Sequence, residues 1–353
     1  MHKYNYRWTL KDTKFTKDKG LVFSCFSCGG GSTMGYKLAG YDVIGCNEID
    51  KRMMYAYCQN HNPKYPFLEP IQDFKNREDL PAELYNLDVL DGSPPCSTFS
   101  MVGSREDAWG VEKKFREGQQ EQVLDTLFFD FIDLAKKLQP KVVVGENVKG
   151  LLIGNAIKYV TKIHNAFEYA GYYCQHWLLD AQTMGVPQRR ERVFFICLRK
   201  DLAKQFLYQA NLFEQLPKLE LMFNEPIITA SEFSDFTGRD VPKSVKLLWD
   251  NRKLGDINQC DAKFRLFHKN GAFSQSYIYQ DKVSPTLTAK NDCIVHFEQP
   301  KYLGKNEVCY ISSFPQDYNF AGNPPHYICG MSVPPVMMAQ VANQVWEQWL
   351  SKI

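Results

Sequence analysis

Short apolar runs alternate with polar stretches and with segments of helical periodicity through the first two hundred residues. Between 121 and 138 the apolar residues recur at helical spacing, which predicts an amphipathic helix that stops near Pro140. Strands that alternate with helices are typical of an α/β fold with a mostly parallel sheet. The runs that predict buried strands lie at 20–26, 41–46, 87–90, 141–144 and 193–198.

The remaining apolar segments complete this outline. Helices are predicted at 34–40, 155–169 and 336–350, and a strand at 174–179. Residues 71–74 are predicted to end a further strand, with Asp73 at its tip. From about residue 199 the periodicity degrades, which indicates a smaller and less regular region.

Composition limits the class of protein. The chain has 353 residues, 44% of them hydrophobic, which is enough for one large domain and a smaller one. The first twenty residues are polar and lysine-rich, and no run of about 18 apolar residues occurs, so we expect a soluble cytoplasmic protein without a membrane segment.

The eleven cysteines are an odd number without regular spacing, which indicates reduced thiols. Cys25 and Cys28 form the only C-x-x-C pair, and no second pair completes a tetrahedral set. We therefore expect no metal.

The distribution of charge predicts that any nucleic-acid partner is bound by a local basic patch and not by a positive charge of the whole protein. The net charge is only +2, so a nucleic-acid partner must be met by a patch. Residues 239–269 carry eight basic and four acidic side chains, interleaved with aromatic and polar residues. This mixture suits contacts to phosphates and base edges, although a generic basic loop has the same composition.

A glycine loop follows the first predicted strand. Residues 27–35 include Gly29, Gly30 and Gly31 and lead into the helix at 34–40, which is the strand, loop and helix order of a nucleotide-binding unit. Glu48 ends the second strand about twenty residues later, where such folds hold a ribose. A simple tight turn explains the glycines equally well, and Asp50 is the better candidate for a helix-capping acid.

Further reactive side chains follow the strands at 87–90 and 141–144. Two prolines, Pro94 and Pro95, hold the backbone extended immediately before Cys96, although a free cysteine is equally often a small core residue. Glu146 emerges after the second of these strands. Gln188, Arg190 and Arg192 alternate at the start of the last strand, so they are predicted to share one face.

Taken in order, these motifs resemble the cytosine-C5 DNA methyltransferase family. The resemblance covers nearly the whole chain except the first residues and the basic segment. It implies a doubly wound, mostly parallel, Rossmann-like methyltransferase sheet with a smaller, irregular target-recognition domain. The motifs that carry it are Phe26-x-x-x-Gly30-Gly31, Asn47-Glu48, Asp73, Pro94-Pro95-Cys96-Ser97-x-Phe99-Ser100, Glu146-Asn147-Val148, Gln188-x-Arg190-x-Arg192 and Gly330-x-Ser332-Val333-Pro334-Pro335.

The resemblance implies a reaction with double-stranded DNA. Cytosine C5 becomes nucleophilic only after a thiolate adds to C6, and Cys96 is implied as that nucleophile. Glu146 is implied to act at the ring N3, with Arg190 and Arg192 holding the base. The substrate-binding residues implied are Ser97, Ser100, Asn147 and Gln188. The segment from 103 to 118 is expected to be a mobile arm that closes over a flipped-out base.

The resemblance also implies S-adenosylmethionine as the methyl donor. Glu48 is assigned to the ribose hydroxyls and Asp73 to the adenine amino group. The full set of cofactor-binding residues implied is Phe26, Gly29, Gly30, Gly31, Glu48, Ile49, Asp73, Phe74, Pro94 and Ser332. The chain departs from the usual family pattern at Ser24, Cys28, Met331 and Ser97, where Asp, Gly, Asn and Gln are common.

The expected organisation follows from the same resemblance. Residues 1–199 and 322–353 are expected to form the catalytic domain, 200–283 the target-recognition region, and 284–321 a hinge and return segment of a monomer. A tRNA-methylating enzyme of the same fold and a non-catalytic DNA-binding relative are the alternatives. A nicotinamide dehydrogenase is disfavoured, since it needs neither Pro-Pro-Cys nor Glu-Asn-Val.

Overall fold

A seven-stranded sheet organises the larger part of the chain. The computed structural model describes residues 2–95, 112–113, 122–123, 126–211, 214–269, 275–290 and 292–353. Seven strands form the main sheet in the order β3-β2-β1-β4-β7-β9-β8. They are β1 (Leu21–Cys25), β2 (Asp42–Glu48), β3 (Tyr65–Leu68), β4 (Val89–Gly92), β7 (Val142–Val148), β8 (Tyr172–Asp180) and β9 (Glu191–Arg199).

Three two-stranded ladders accompany this sheet. They pair β5 (Glu112–Lys113) with β6 (Gln122–Val123), β10 (Leu207–Asn211) with β11 (Glu214–Pro217), and β12 (Ser276–Ile278) with β13 (Ile294–His296). The helices are α1 (Gly31–Ala39), α2 (Lys51–His61), α3 (Ile71–Asn76), α4 (Leu127–Leu138), α5 (Ile157–Tyr169), α6 (Lys243–Asp250), α7 (Gln259–Phe267), α8 (Lys305–Ile311), α9 (Pro325–Met331) and α10 (Pro335–Gln348). None of the helices in the described ranges is long and apolar enough to cross a membrane.

The chain divides into two compact units. The larger comprises Lys14–Leu179, Glu191–Met222 and Met338–Ile353, and the smaller comprises Met1–Thr13, Asp180–Arg190 and Phe223–Met337. The smaller unit therefore takes in the chain's start, the segment just before β9 and residues 322–337, which were predicted to belong to the catalytic domain. Residues 200–222, predicted as part of the target-recognition region, belong to the larger unit.

The mostly parallel α/β sheet predicted from the sequence is confirmed. Strands β3, β2, β1, β4 and β7 run parallel, and β9 runs antiparallel to β7. The chain order reverses between β1 and β4, because β1 leads outward to β2 on one side while β4 continues on the other. Open α/β sheets bind ligands at the carboxyl ends of the strands beside this switch point.

Aromatic packing builds the core of the larger unit. Phe23 from β1 stacks on Phe74 from α3 with ring centroids 5.3 Å apart. On the other side of the switch point, Phe128 from α4 packs edge-on against Phe195 from β9. All four side chains are almost fully buried, so the sheet packs against a dense aromatic core.

Two sequence predictions of local structure were wrong. Residues 71–74 do not end a strand: they form most of α3, because Pro70 starts a helix whose amides at Asp73 and Phe74 bond back to its carbonyl. The third strand is instead Tyr65–Leu68, which pairs with β2. The helix predicted from 121 begins only at Leu127, since Gln122–Val123 pairs with Glu112–Lys113 as a short strand.

Candidate active site

The carboxyl end of β4 leads into the Pro-Pro-Cys segment, and β7 anchors it. Asn147 in β7 donates from Nδ2 to the carbonyl oxygen of Pro94 at 3.3 Å, while its Oδ1 accepts from the amide of Val148 at 2.8 Å. The asparagine thus links β7 to the backbone two residues before Cys96. Cys96, Ser97 and Ser100 lie outside the described residues, as does the predicted arm apart from Glu112–Lys113.

Glu146 and Arg192 form an ion pair next to this anchor. Arg192 Nε lies 2.9 Å from Glu146 Oε1, and the two side chains are only 14% and 10% exposed. Their meeting follows from the register of the antiparallel ladder, in which Glu146 opposes Phe194 and Val148 opposes Arg192. Diagonal partners of this kind share one face and lie within reach of long side chains. Glu146, Asn147 and Arg192 are called the base side below.

Burial makes this ion pair unusual. It lowers the pKa of the Arg192 guanidinium, and the neighbouring Glu146 carboxylate opposes that shift. A nearly buried carboxylate and guanidinium with a fixed geometry can bind and polarise a planar amidine-like group, such as the N3 and N4 edge of cytosine.

The glycine loop has a strained backbone that one carboxylate supports. Phe26, Cys28 and Gly30 all have positive φ, at 53°, 46° and 81°. Glu48 at the end of β2 accepts from the amide of Cys28 at 2.8 Å through Oε2 and from the amide of Asp50 at 2.8 Å through Oε1. A carboxylate has about four lone-pair sites, so it can also accept from a ligand hydroxyl.

Glu48 is buried without a cation beside it. Its residue is 8% exposed, and desolvation raises the pKa of the carboxyl to about 7, against the opposing effect of the backbone hydrogen bonds from Asp50 and Cys28. Asp50 acts separately as the cap of α2, accepting from the amide of Arg52 at 2.8 Å. The sequence prediction that Asp50 caps a helix is confirmed.

His61 packs against the glycine loop. No sequence pattern predicted it as a site residue. Its Nε2 lies 3.4 Å from the carbonyl oxygen of Gly29, and a Cβ on Gly30 would lie only 2.2 Å from the same nitrogen. Burial lowers the pKa of this imidazole to about 3, so it is neutral. Gly30 is therefore required both by its positive φ and by the ring that fills the space of a side chain.

The other predicted cofactor residues differ in exposure. Gly29 and Gly31 are buried beside Gly30, while Phe26 and Ile49 are half-buried. Asp73 is exposed in the first turn of α3, whereas the ring of Phe74 is fully buried in the core. Phe74 can therefore offer a ligand only its backbone.

Asp91 is a buried acid at the switch point to which the sequence analysis assigned no role. It is the third residue of β4 and is 1% exposed. Its Oδ2 accepts from Ser24 Oγ at 2.8 Å, and its Oδ1 accepts from Tyr36 Oη at 3.4 Å. A charged residue directly after the apolar pair Val89 and Leu90 was the signal that could have identified it. Glu48, Asp91 and the glycine loop (27–31) are called the cofactor side below.

Gln188 and Arg190 lie in the smaller unit and hold its backbone. Strand β9 begins only at Glu191, so these two residues do not share a strand face with Arg192 as predicted. Gln188 donates to the carbonyl of Ile311 at 2.8 Å and accepts from the amide of Leu287 at 3.1 Å. The Arg190 guanidinium donates to three carbonyl oxygens, those of Leu287, Gly330 and Ser332, at 2.9 to 3.0 Å.

Ser332 follows α9 in the same unit. Its residue is 4% exposed, and its Oγ has no hydrogen-bond partner among the residues that the structure describes. A buried hydroxyl of this kind can take a polar ligand group.

The smaller unit also carries the basic segment. Its acids are engaged locally, since Asp250 pairs with Lys246 and Asp256 pairs with Arg265. Lys243, Lys253 and Lys269 are exposed. Arg252 lies over the ring of Trp249, 3.3 Å from its centroid. Exposed cations on one segment suit a polyanionic partner.

Comparison with known proteins identifies the family. A parallel sheet with a glycine loop and acidic strand ends at its switch point is typical of enzymes that bind nucleotide-like cofactors. Residues 21–347 match the family described as C-5 cytosine-specific DNA methylase. The chain belongs to this family and is a DNA cytosine methyltransferase.

Individual relatives support this family assignment. The type II methyltransferase M.NgoPII of Neisseria gonorrhoeae is 35% identical over 92% of this chain and 94% of its own length. The type II methyltransferase M.FnuDI of Fusobacterium nucleatum is 36% identical over 51% of this chain, which spans about half (47%) of that relative.

Solved structures share the fold. A prophage-encoded protein of E. coli, described as a DNA modification methyltransferase, superposes with a TM-score of 0.60 at 20% identity, covering 93% of this chain and 99% of that one. DNMT2 of Spodoptera frugiperda gives a TM-score of 0.59 at 17% identity, covering 92% and 99%. At these identities the similarity concerns the fold alone.

Proposed function

We propose that the protein transfers a methyl group from S-adenosylmethionine to C5 of a flipped-out cytosine in double-stranded DNA, through a covalent bond between Cys96 and C6. The observation that carries this proposal is the buried Glu146–Arg192 pair beside the Asn147–Pro94 anchor, because the anchor fixes the backbone next to Cys96. Acid and cation then lie beside the strand residue that holds the backbone of Pro94.

The chemistry requires each of these groups. Attack of the Cys96 thiolate on C6 forms the C6–S bond and moves electron density to C5 and toward N3. Glu146, in its protonated form, donates to N3 as that charge develops, and Arg192 positions both the carboxyl group and the base. After methyl transfer, loss of the C5 proton and of the Cys96 thiolate restores the aromatic ring.

The cofactor side fits S-adenosylmethionine, which supplies an electrophilic methyl group on a sulfonium. Glu48 ends β2 beside the glycine loop, where its carboxylate accepts from the amides of Cys28 and Asp50 and would accept further from the ribose hydroxyls. Asp73, with an exposed carboxylate, would accept from the adenine amino group. Phe26 and Ile49 would pack on the adenine, while Phe74 and Pro94 would contribute backbone groups.

Asn147, Gln188 and Arg190 are assigned positioning roles. Asn147 anchors the segment that carries Cys96, Ser97 and Ser100. Gln188 and Arg190 hold the backbone at Leu287 and Ser332, so Arg190 acts through these carbonyls rather than on the base. Only Arg192 of the two arginines is proposed to touch the substrate.

The smaller unit is proposed to bind DNA. Its exposed lysines Lys243, Lys253 and Lys269 would contact phosphates, and residues 223–283, the part of the predicted target-recognition region that lies in this unit, would include the groups that read base edges. Because a target base is stacked inside the duplex, attack on C6 requires it to rotate out.

A trapping experiment tests the reaction. Duplex DNA with 5-fluorocytosine at the target should form a covalent adduct only when S-adenosylmethionine is present, because fluorine blocks the final elimination. Cys96→Ala should form none, and Cys96→Ser gives a matched control that retains a weaker nucleophile. An adduct that persists in Cys96→Ala contradicts the assignment.

The nucleic-acid type is tested in parallel. The family match predicts methylation of duplex DNA, read by bisulfite sequencing of DNA from cells that express the protein. Unfractionated tRNA incubated with the labelled donor is the competing substrate. Label in tRNA but not in DNA would favour the alternative enzyme of the same fold.

A further inference from the structure

One buried carboxylate is left over by the chemistry described above. Asp91 takes no part in contacting the base, yet it lies at the switch point of the sheet, directly opposite Ser24 in the parallel pairing of β4 with β1. Strand β1 continues into the glycine loop, and β4 continues into Pro94 and Pro95. The carboxylate therefore lies between the two segments that a methyl donor must contact.

Among the residues that the structure describes, the groups that act on Asp91 are neutral or negative. The hydroxyls of Ser24, Tyr36 and Ser32 donate to it, and the other titratable groups that act on it are Cys25, Tyr57 and Glu146, from β1, α2 and β7. No lysine, arginine or histidine of the described residues pairs with it. Burial accordingly raises the pKa of the Asp91 carboxyl to about 7.

Such a group is costly in the absence of a ligand. A buried carboxylate without a cation disfavours the folded state when it ionises, and strongly perturbed acids of this kind cluster at functional sites. Ser24, its partner, stands where similar sequences usually carry aspartate. In this chain the acid lies on the neighbouring strand of the same pair, so the pair Ser24 and Asp91 keeps one carboxylate at the switch point.

We propose that Asp91 is a selectivity residue that makes the pocket prefer the cationic donor S-adenosylmethionine over the product S-adenosylhomocysteine, with Ser24 holding its carboxylate in place. The inference rests on the proposed function. The donor carries one positive charge more than the product, because its sulfonium becomes a thioether after transfer. A buried negative charge with no protein counter-ion favours the ligand that brings one.

Asp91→Asn separates this role from a structural one. The hydrogen-bond partners of Asp91 are the hydroxyls of Ser24, Tyr36 and Ser32, which can accept as well as donate, so asparagine can keep the network without the charge. A purely structural Asp91 predicts equal or lower stability in Asp91→Asn. The selectivity role predicts that the ligand-free variant melts higher than wild type at pH 8, where the carboxylate is ionised, and that this gain shrinks toward pH 5.

The deciding measurement is calorimetric binding of both ligands to the full-length protein. Asp91→Asn should weaken the binding of S-adenosylmethionine about tenfold and the binding of S-adenosylhomocysteine less than about threefold. A difference of this size is expected for one charge acting through an effective dielectric of about 20. Asp42→Asn is the matched control, since it removes the same charge from the opposite end of the sheet, where Asp42 pairs with Lys17. It should change neither affinity.

A swapped pair gives the second test. Ser24→Asp with Asp91→Ser retains the atoms of the pair and returns the carboxylate to β1, so it should recover most of the preference for the donor. If Asp91→Asn weakens both ligands equally, or neither, the inference is wrong. A swapped variant that folds with wild-type melting behaviour but lacks the preference also overturns it, and if the swap does not fold, Asp91→Asn alone decides. Failure of the wild-type protein to bind S-adenosylmethionine at all would instead remove the proposed function, and this inference with it.

Discussion

The base side and the cofactor side both contain buried acids, but they differ in how the charge is neutralised. On the base side Glu146 has Arg192 at 2.9 Å. On the cofactor side Glu48 is held by backbone amides and Asp91 by hydroxyls, and burial raises the pKa of both acids to about 7.

This difference matches the ligands that the two sides would receive. A cytosine arrives neutral and develops charge only during the reaction, so its acid and cation must be in place beforehand. A methyl donor arrives with its own positive charge, so a counter-ion from the protein would compete with it. The predictions below test this contrast, beginning with the largest expected effect.

Removing the cation from the base side should have the largest effect. Arg192→Ala leaves Glu146 buried and unpaired, which should lower single-turnover methyl transfer at least about a hundredfold and reduce the free energy of unfolding by about 3 kcal/mol. Arg192→Lys, which retains the charge but not the planar guanidinium, should have a methyl-transfer rate and a stability between those of wild type and Arg192→Ala. Arg199→Ala, at the other end of β9 with a partly exposed partner Asp201, is the control and should be nearly silent. Activity within threefold of wild type in Arg192→Ala would refute the role.

Filling the space beneath the glycine loop should damage the cofactor side. Gly30→Ala places a methyl group against the His61 ring, so donor binding should weaken at least about tenfold in calorimetry. Gly154→Ala has a similar positive φ but open space around it, and should cost only about 1 kcal/mol of stability. Adding His61→Ala to Gly30→Ala should recover part of the loss. Equal effects of the two glycine substitutions would show that the ring is irrelevant.

The protonation state of Glu48 should control donor affinity. Its folded pKa of about 7 lies above the unfolded value, so the ionised form is destabilising and its contribution to stability falls as pH rises from about 4.5 to 7. Ribose hydroxyls bind the ionised form, so donor affinity should rise about fivefold to tenfold from pH 6 to pH 8.

Glu48→Gln should bind the donor more weakly and lose this pH dependence, with DNA affinity little changed. Measuring both proteins in an Asp91→Asn background isolates Glu48 from its neighbour. A pH profile identical in wild type and Glu48→Gln would rule the carboxylate out.

The exposed ion pair beside Arg192 should matter least. Lys149 lies 2.8 Å from Glu191, but the two side chains are 42% and 38% exposed, so solvent screens the pair. Lys149→Ala should change stability by less than about 1 kcal/mol in urea unfolding and leave methyl transfer within about threefold. A large loss of methyl transfer would mean that the Lys149–Glu191 pair supports the buried Glu146–Arg192 pair despite its exposure.

Sequence patterns predicted the sheet well, because apolar runs bounded by turn residues specify strands locally. They placed β1, β2, β7 and β9 within a few residues. The prediction failed at 71–74, where Pro70 starts a helix and β2 pairs with a strand earlier in the chain. Strand pairing depends on residues far apart in sequence, which local periodicity does not contain.

In the candidate site, too, local sequence predicts some positions, while other contacts join residues that are far apart in sequence. The positions of Glu48 and Glu146 in the sheet could be predicted, since each follows an apolar run, and their roles stay predictions. The contact of Asp91 with Ser24 could not be predicted, because it depends on which strand lies beside β4, and Ser24 is 67 residues away. Arg190 and Arg192 look equivalent as an alternating pair, yet one holds carbonyls in the smaller unit and the other pairs with Glu146. The roles assigned to Cys96 and its neighbours stay predictions.

The antiparallel pairing of β9 with β7 makes the chemistry sensitive to chain length in one place. Side chains alternate between the faces of a strand, so deleting Val193 would turn the guanidinium of Arg192 away from Glu146 while residues 194–198 could keep their pairing with β7. The variant should leave DNA unmodified. It should also melt lower than wild type, because Glu146 would be buried without its partner, so sequencing the methylation of cellular DNA beside a melting curve would distinguish it from a variant that only loses stability.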